Sequence, residues 1–289
     1  MKPGLKLALT TCCILPAAYS SRTYTSPMDI NLLVLSLGTS RLAVGSFAAG
    51  ELGEVSRLPH GQRSDWPSLI EKAWNRIAKN EAPAVVAASV NPALEEPLEQ
   101  VVGEVTGRRM LWVGKDIELP IKVLTDEPTK TGVDRILTIA AAHEQMGKAC
   151  VVVDAGSAIT VNLCNDQGDF LGGAIAPGVS MQLEALNQRT ATLPRVDFEI
   201  PEGFVGKSTR QAILQGVYHG IRGLVKELTE QYATELGHWP EIIATGGDAK
   251  KLFEGWELVH AVSPDLLLYG IALAYAEHHI RGGEKADQD

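Results

Sequence analysis

Two short segments of the sequence combine glycine with hydroxyl side chains at the end of an apolar stretch. The first, Ser36–Ser40, ends the stretch Ile30–Leu37, and the second, Asp154–Ala158, follows Ala149–Val153. Glycine permits a tight turn whose backbone N–H groups can approach a phosphate, and a hydroxyl adds another donor. One such turn is weak evidence, because it more often belongs to an ordinary hairpin. Two turns in corresponding places favour a pair of phosphate-binding turns.

A third glycine turn, Thr245–Gly247, follows the predicted strand Glu241–Ala244. It repeats the combination of an apolar strand and a glycine turn. Three such turns in one chain make a nucleotide site a stronger hypothesis than any one of them does alone.

An acid–base pair, Asp134 and Arg135, stands at the start of the predicted helix Asp134–Met146. An Asp at such a helix end is usually explained by the helix dipole alone. If this end faces a cleft, the Asp can accept a proton from a substrate hydroxyl while the Arg clamps a substrate carboxylate. Phosphoryl transfer requires little beyond such positioning and charge neutralisation.

The apolar pattern places these residues at the ends of regular elements. Continuous apolar runs predict buried strands, and spaced apolar residues predict helices. The predicted strands are Ile30–Leu37, Leu42–Phe47, one near Gly53–Arg57, Ala84–Val90, Leu111–Val113, Ile121–Val123, Ala149–Val153, Ala158–Cys164, Phe170–Ile175 and Glu241–Ala244, and the predicted helices are Trp66–Asn80, Asp134–Met146, Thr209–Tyr232 and Leu266–His279.

The two halves of the chain repeat one order of elements. Aligning the turns pairs Ser36 with Asp154, and Thr39 with Ser157. A separation of about 118 residues is too long for a solenoid repeat and fits a duplicated α/β domain.

A competing phosphate motif is present at Gly206–Thr209, which resembles the end of a P-loop. That motif requires a glycine where this chain has Pro201. The preceding segment, Arg195–Ile200, is also too charged for the buried strand that a P-loop follows. The sequence therefore disfavours a P-loop fold.

The composition is that of a soluble globular protein, with 289 residues and a net charge of -9. An acidic surface repels nucleic acid and anionic membranes, so we expect neither as a partner. No apolar run reaches the roughly 18 residues of a spanning helix. Cys150 and Cys164 lie in or beside apolar runs and are expected to be buried hydrophobic residues.

The N-terminal residues 1–27 admit two interpretations. Lys2, Lys6 and the apolar stretch Leu7–Ala18 loosely fit a signal peptide. The alternative is a start codon assigned too early, with the true start at Met28, because a buried strand begins immediately afterwards. We favour the second interpretation, which predicts a cytoplasmic protein.

Several sequence blocks, each weak alone, are specific together. In order they are G-V-D-R at 132–135, V-V-V-D-A-G-S-A-I-T-V at 151–161, F-L-G-G-A-I-A-P-G-V at 170–179, T-A-T-L-P at 190–194, G-K-S-T at 206–209 and T-G-G at 245–247. From Met28 to His279 the chain thereby resembles the type III pantothenate kinases of the actin and hexokinase superfamily. The resemblance implies an α/β, duplicated ribonuclease H-like (actin-like ATPase) fold with two lobes around an ATP cleft. It divides the chain into lobes at 28–147 and 148–281 and a tail at 282–289.

The resemblance also implies an activity, which is the ATP-dependent phosphorylation of pantothenate at its primary hydroxyl, the first step toward coenzyme A. It implies a homodimer that requires Mg²⁺ with ATP and a monovalent cation, K⁺ or NH₄⁺. Asp134 would be the general base, and Asp154 would hold the monovalent cation. Gly172, Gly173, Pro177, Gly178 and Thr190–Pro194 would lie at the dimer interface or the second-lobe turn. The implied pantothenate-binding residues are Gly132, Val133, Asp134, Arg135 and Thr209, and the implied ATP-binding residues are Ser36, Leu37, Gly38, Thr39, Ser40, Arg41, Leu42, Ala43, Ser157, Thr245, Gly246 and Gly247.

The chain departs from the family pattern at the first turn, where the family has D-x-G-N-T. Ser36 stands at the position of the carboxylate that helps to position Mg²⁺, and it carries no charge. Ser157 stands where the family usually has Thr, Thr125 where a Tyr is expected, and Ser208 where an Asn is expected. Three functions therefore remain open: an active pantothenate kinase, which we favour, a non-catalytic homologue that binds ligand and regulates, and another small-molecule kinase of the superfamily.

Overall fold

The computed structural model describes residues 30–286, with side chains as far as residue 280. Both interpretations of residues 1–27, together with Cys12 and Cys13, lie outside this range. Within it, eleven strands form two sheets, and seven α-helices cover them. No helix in the described range is both long and apolar enough to cross a bilayer.

The first sheet is built around a fully buried strand that ends at the first turn. Strand β1 pairs antiparallel with β2 and parallel with β5, and the sheet order is β3-β2-β1-β5-β6 with β4 also on β2. The strands are β1 Leu32–Leu37, β2 Arg41–Ala48, β3 Glu51–Leu52, β4 Ser56–Pro59, β5 Ala84–Ser89 and β6 Met110–Trp112.

The second sheet repeats this order. Strand β7 pairs antiparallel with β8 and parallel with β10, and the sheet order is β11-β10-β7-β8-β9. The strands are β7 Cys150–Ala155, β8 Ala158–Cys164, β9 Phe170–Pro177, β10 Glu241–Thr245 and β11 Ala261–Val262. Two sheets of the same connectivity confirm the predicted duplicated, actin-like α/β fold.

The helices divide into outer and inner sets. Helices α1 and α2 cover the outer face of the first sheet, and α4, α5 and α6 cover the outer face of the second. Helices α3 and α7 lie between the sheets and contribute to the apolar clusters on both inner faces. The helices are α1 Trp66–Trp74, α2 Glu95–Thr106, α3 Val133–Met146, α4 Val179–Arg189, α5 Thr209–Leu236, α6 Ala249–Phe253 and α7 Leu266–Ala286.

Each inner helix also packs against the sheet formed by the other half of the sequence. Helix α7 belongs to the second half of the chain, yet Leu268 and Ile271 pack on the inner face of the first sheet. Helix α3 belongs to the first half, yet Ile136 and Ile139 pack with Cys150 of the second sheet. The predicted boundary between the lobes near residue 147 divides the chain by sequence order, whereas the two inner helices pack across that division. The boundary stays a prediction.

Several predicted elements differ in the structure. The predicted strand Ile121–Val123 is wrong, because only Val123 forms an isolated bridge, to Phe170. The predicted strand near Gly53–Arg57 is two short strands, β3 and β4, and the predicted helix Trp66–Asn80 stops being α-helical at Trp74. Helices α2, α4 and α6 were not predicted. Cys150 and Cys164 are both buried, as expected, with their sulfur atoms 3.2 Å apart on paired strands.

Candidate active site

The first turn joins β1 to β2 at the edge of the first lobe. Its N–H at Gly38 donates to the carbonyl of Arg41 over 3.1 Å, which closes the hairpin and leaves Thr39 and Ser40 at its tip. Alternation along β1 places Ser36 on the inner face, with Leu32 and Val34. Ser36 is buried there, with 8% of its surface exposed. A charged side chain in its place would therefore face the region between the lobes.

The predicted ATP-binding residues that flank this tip do not present their side chains to a ligand. Leu37 and Leu42 are fully buried in the outer core of the first lobe. Only their backbone groups can take part in binding. Gly38, Thr39 and Ser40 form the exposed part of the turn.

The second turn has the same construction. Gly156 donates its N–H to the carbonyl of Ala158 over 3.0 Å, between β7 and β8. Neighbouring backbone packs tightly against it, because a Cβ on Gly178 would lie 2.4 Å from the carbonyl oxygen of Ser157. Alternation along β7 places Asp154 on the inner face with Cys150 and Val152. The carboxylate thus occupies the place that Ser36 has in the first lobe.

The two turns meet. The hydroxyl oxygens of Ser40 and Ser157 are 2.6 Å apart and share a hydrogen bond. A phosphate bound between the turns would replace this contact with hydrogen bonds to both hydroxyls. The two turns that correspond in sequence are therefore also in contact in the structure.

The third glycine turn lies against the second. Gly246 has a φ of 96°, and a Cβ at this position would lie 2.4 Å from Asp154 Oδ1 and 2.5 Å from the carbonyl oxygen of Ala155. Both the left-handed backbone and the close approach require glycine. From the first lobe, a terminal nitrogen of the Arg41 guanidinium lies 3.2 Å from the Cβ position of Gly247. Arg41 therefore spans from the first turn to the third.

Asp134 stands at the N-terminus of α3, whose positive dipole end favours a carboxylate. Its Oδ1 accepts the N–H of Arg135 over 2.8 Å. Burial nevertheless raises the pKa of Asp134 above its ordinary value, because the loss of hydration exceeds these favourable contacts. A raised pKa makes this carboxylate a better proton acceptor.

Arg135 is held by a residue that the sequence did not single out. Its Nε donates to Asn162 Oδ1 over 2.7 Å, and its guanidinium lies 5.5 Å from the centre of the Phe170 ring. Asn162 is fully buried, and its amide nitrogen donates to the hydroxyl of Thr160 over 2.9 Å. The signal in the sequence was a polar Asn inside the apolar strand that follows the second turn.

The carboxylates of the site interact. The pKa of Asp154 is raised to about 6, chiefly by burial and further by the nearby charge of Asp134, and Arg41 acts in the opposite direction. The pKa of Asp248, which follows the third turn, is also raised by burial, and Lys251 and Arg41 oppose that rise. The Arg41 guanidinium is thus a cation shared by the second and third turns.

Other predicted residues are not joined to this centre. Thr209 is exposed at the start of α5, and within residues 30–280 no hydrogen bond links it to residues 132–135. Ser208 caps α5 by accepting the N–H of Gln211 over 3.2 Å. Thr125 bonds the hydroxyl of Thr131 over 2.9 Å, which places it beside the segment that leads to Asp134.

The donor groups limit how a metal ion can bind. Among the described residues, no three His, Cys, Asp or Glu side chains converge as a metal cage. Magnesium in phosphoryl transfer is commonly bound by one or two carboxylates, by substrate phosphates and by water, and it does not need a cage. Asp154 fits this mode of binding, and Ser36 supplies no charge to it.

The chain is similar in sequence and in fold to known proteins. A sequence model of the Pan_kinase family, type III pantothenate kinase, matches residues 32–231. A type III pantothenate kinase of Dehalococcoides mccartyi is 34% identical over 255 residues, which cover 86% of this chain and 98% of the relative. Another, of Geobacter sulfurreducens, is 32% identical over 249 residues, which cover 84% of this chain and 98% of the relative. A solved protein of Campylobacter jejuni, described as a conserved putative Baf family transcriptional activator, is 21% identical and superposes with a TM-score of 0.56. The match covers 86% of this chain and 99% of that protein, and it supports the fold alone. The chain belongs to the type III pantothenate kinase family.

Proposed function

We propose that this protein transfers a phosphoryl group from ATP to the primary hydroxyl of pantothenate, giving 4′-phosphopantothenate in the first step of coenzyme A biosynthesis. Membership of the family supports the substrate and the reaction. The observation that carries the proposal is the pairing of Asp134 with the second phosphate turn. Arg135, next to Asp134, bonds Asn162 on the strand that follows this turn, and the charge of Asp134 contributes to the raised pKa of Asp154.

Asp134 serves as the general base in this proposal. It stands at a helix N-terminus beside the phosphate turn, and its pKa is raised by burial. A carboxylate so placed can accept the hydroxyl proton of pantothenate as the oxygen attacks phosphorus. General base catalysis of this kind contributes typically about 10²- to 10⁴-fold to the rate.

Arg135 positions the other end of the substrate. Its Nε is held by Asn162, which leaves the two terminal nitrogens of the same planar group for a carboxylate. Pantothenate carries one carboxylate, and a bidentate contact would fix its orientation. Gly132 and Val133 precede this pair and would contact the substrate through backbone, and Thr209 would complete the pantothenate site.

The nucleotide lies between the lobes in this proposal. Gly38, Thr39 and Ser40 on one side and Ser157 on the other would bind the phosphates, and Thr245–Gly247 would lie by the adenosine. The hydroxyl contact between Ser40 and Ser157 supports this placement, because it brings both turns within reach of a single phosphate. Asp154 would hold a monovalent cation, K⁺ or NH₄⁺, and Mg²⁺ would bind with ATP. The metal ions would supply charge neutralisation for the phosphates.

A homodimer is the assembly that we propose. Strand β9 is an edge of the second sheet, and Ile175 on it is 64% exposed. Met181, near the start of α4, is 50% exposed. Exposed apolar side chains beside a strand at the edge of a sheet are typical of a surface that is covered in the assembly. The acidic surface and the ATP-dependent reaction fit a cytoplasmic enzyme that does not bind nucleic acid.

The test is an assay of purified residues 28–289 with ATP, Mg²⁺ and pantothenate, with and without K⁺. We expect ADP release that depends on pantothenate and K⁺, and mass spectrometry should identify a phosphorylated pantothenate. Asp134→Asn keeps the shape and removes the base, so we expect it to lower kcat by about 10²-fold or more. Turnover of a sugar in place of pantothenate would contradict the proposed substrate.

The second candidate function is a regulatory homologue that binds ligand without turnover. The observation that favours it is the uncharged Ser36, which is buried on the inner face of β1. Saturable pantothenate binding by calorimetry, together with no ADP release under any cation condition, would support this alternative over the kinase.

A further inference from the structure

His60 contacts the first turn at two points. Its backbone N–H donates to the carbonyl of Ser40 over 3.1 Å, and its Nε2 lies 2.9 Å from the carbonyl oxygen of Gly38. A carbonyl oxygen only accepts hydrogen bonds, so Nε2 carries the ring hydrogen in this contact. Nδ1 is buried and has no hydrogen-bond partner among the described residues. The ring therefore makes a single side-chain hydrogen bond, and that bond goes to the turn.

The core of the first lobe fixes the ring. The His60 and Trp66 rings pack edge to face, with centroids 6.2 Å apart. Trp66 is 1% exposed and belongs to the cluster that contains Leu37 and Leu42 on either side of the turn. His60 thus links the tip of the turn to the rigid packing beneath it.

The contact with Gly38 also determines where an N–H points. The carbonyl of Gly38 and the N–H of Thr39 belong to one planar, trans peptide, so they point in opposite directions. With the carbonyl held toward His60, the N–H of Thr39 faces away from His60. Backbone N–H groups in a turn are donors for anions.

We propose that His60 is a positioning residue that fixes the Gly38–Thr39 peptide so that the Thr39 N–H is presented to a phosphate of ATP. The inference rests on the proposed function in that ATP occupies this turn. It gives the first turn a means of keeping its geometry although Ser36 brings no charge to it. His60 acts through the backbone of the turn, so its effect is expected on nucleotide binding.

The experiment compares His60→Gln with His60→Asn. The Gln amide nitrogen is the same number of bonds from Cα as Nε2, so it can donate to the Gly38 carbonyl, whereas the Asn amide is one bond shorter. We expect Gln to retain ATP binding and Asn to raise both Kd and KM for ATP about three- to tenfold, the range for loss of one hydrogen bond. The KM for pantothenate should stay within about twofold in both variants.

A matched control is His143→Asn. His143 makes the same kind of contact, from Nε2 to the carbonyl of Asp166 over 3.1 Å, at the opposite end of β8 from the second turn. We expect no change in the Kd for ATP. Thermal unfolding of each variant separates a local effect from a loss of fold.

The outcomes are distinct. If the wild-type protein phosphorylates pantothenate but the Gln and Asn variants bind ATP with equal affinity, the proposed function stands and only the role of His60 is overturned. A wild-type protein that binds ATP without phosphorylating pantothenate would overturn the proposed function, and calorimetric ATP binding would still decide the role of His60. Weaker binding of ATP and pantothenate alike in the Asn variant would show a general structural role and overturn the inference.

Discussion

The two phosphate turns have the same backbone and different charges. Each joins an antiparallel strand pair, each is closed by a hydrogen bond from its glycine N–H, and each begins with a residue on the inner face of its sheet. In the second turn that residue is Asp154, and in the first it is the buried Ser36. The two turns therefore share a shape but not a charge.

The comparison indicates how the work of the site is divided. The second turn has a carboxylate, the charge of Asp134 beside it and the guanidinium of Arg41 across from it. The first turn offers backbone donors and hydroxyls alone. In our account the second turn organises cations and charge, while the first contributes geometry and is supported by His60.

The largest expected effect comes from removing the charge of the second turn. Asp154→Asn keeps the shape of the side chain, and we expect kcat to fall about 10²- to 10³-fold, the cost of removing an electrostatic contribution to the transition state. Ser36→Ala should cost at most about threefold, because only a neutral hydroxyl is lost. Steady-state kinetics at saturating ATP and pantothenate measure both. Similar losses in the two variants would contradict the division of work.

The next effect is on stability and depends on pH. The folded-state pKa of Asp154, about 6, lies above the unfolded value, so folding disfavours the charged form. The resulting cost is absent below about pH 4, grows between about pH 4 and 6, and is complete above that range. Asp154→Asn removes the charge, so we expect it to stabilise the ligand-free protein by about 3 kcal/mol at pH 8 and by much less at pH 4.5.

Urea unfolding in buffer without K⁺ measures this difference at the two pH values. Ser36→Asn provides the control at the equivalent position, where no carboxylate titrates, and its effect should not change between pH 4.5 and 8. A stabilisation by Asp154→Asn that is the same at both pH values would show that Asp154 does not titrate as described.

The smallest effect concerns the contact between the turns. The hydroxyls of Ser40 and Ser157 share a hydrogen bond, but both residues are exposed to solvent. A double-mutant cycle with Ser40→Ala and Ser157→Ala should give a coupling of about 0.5 kcal/mol in the free energy of unfolding, at the low end for a neutral hydrogen bond. Additive effects of the two substitutions would indicate that the turns are independent in solution.

The sequence predicted the fold well where the physical signal was local. Continuous apolar runs followed by glycine identified β1, β2, β7, β8 and β10, because strands buried on both faces need no alternation. The strand at Ile121–Val123 was wrong, because this segment pairs with β9 only at its first residue, Phe170, and no ladder extends beyond that bridge. Helix α2 was missed although Leu98 and Val102 are spaced for a buried face. A short amphipathic pattern with only two buried residues is hard to distinguish from a loop.

The site was predicted in part for the same reason. The glycine turns and the Asp134–Arg135 pair carry local patterns, so their positions could be read from the chain. Contacts with Asn162 and His60 join residues that are far apart in sequence, and only tertiary packing reveals them. The placement of α3 and α7 between the sheets likewise depends on packing across both halves.

The most direct test of this account restores the missing charge to the first turn. Ser36→Asp, assayed for pantothenate-dependent ADP release across a Mg²⁺ titration, should raise kcat/KM for ATP about tenfold or more. It should also lower the Mg²⁺ concentration needed for half-maximal rate, since groups that orient a bound metal typically contribute about 10- to 100-fold in affinity or activity. Ser36→Asn, which has the same shape without the charge, should give neither gain. A Ser36→Asp protein that is folded yet no faster than Ser36→Asn, with an unchanged Mg²⁺ requirement, would contradict the claim that the missing charge at the first turn limits the use of Mg²⁺ and ATP.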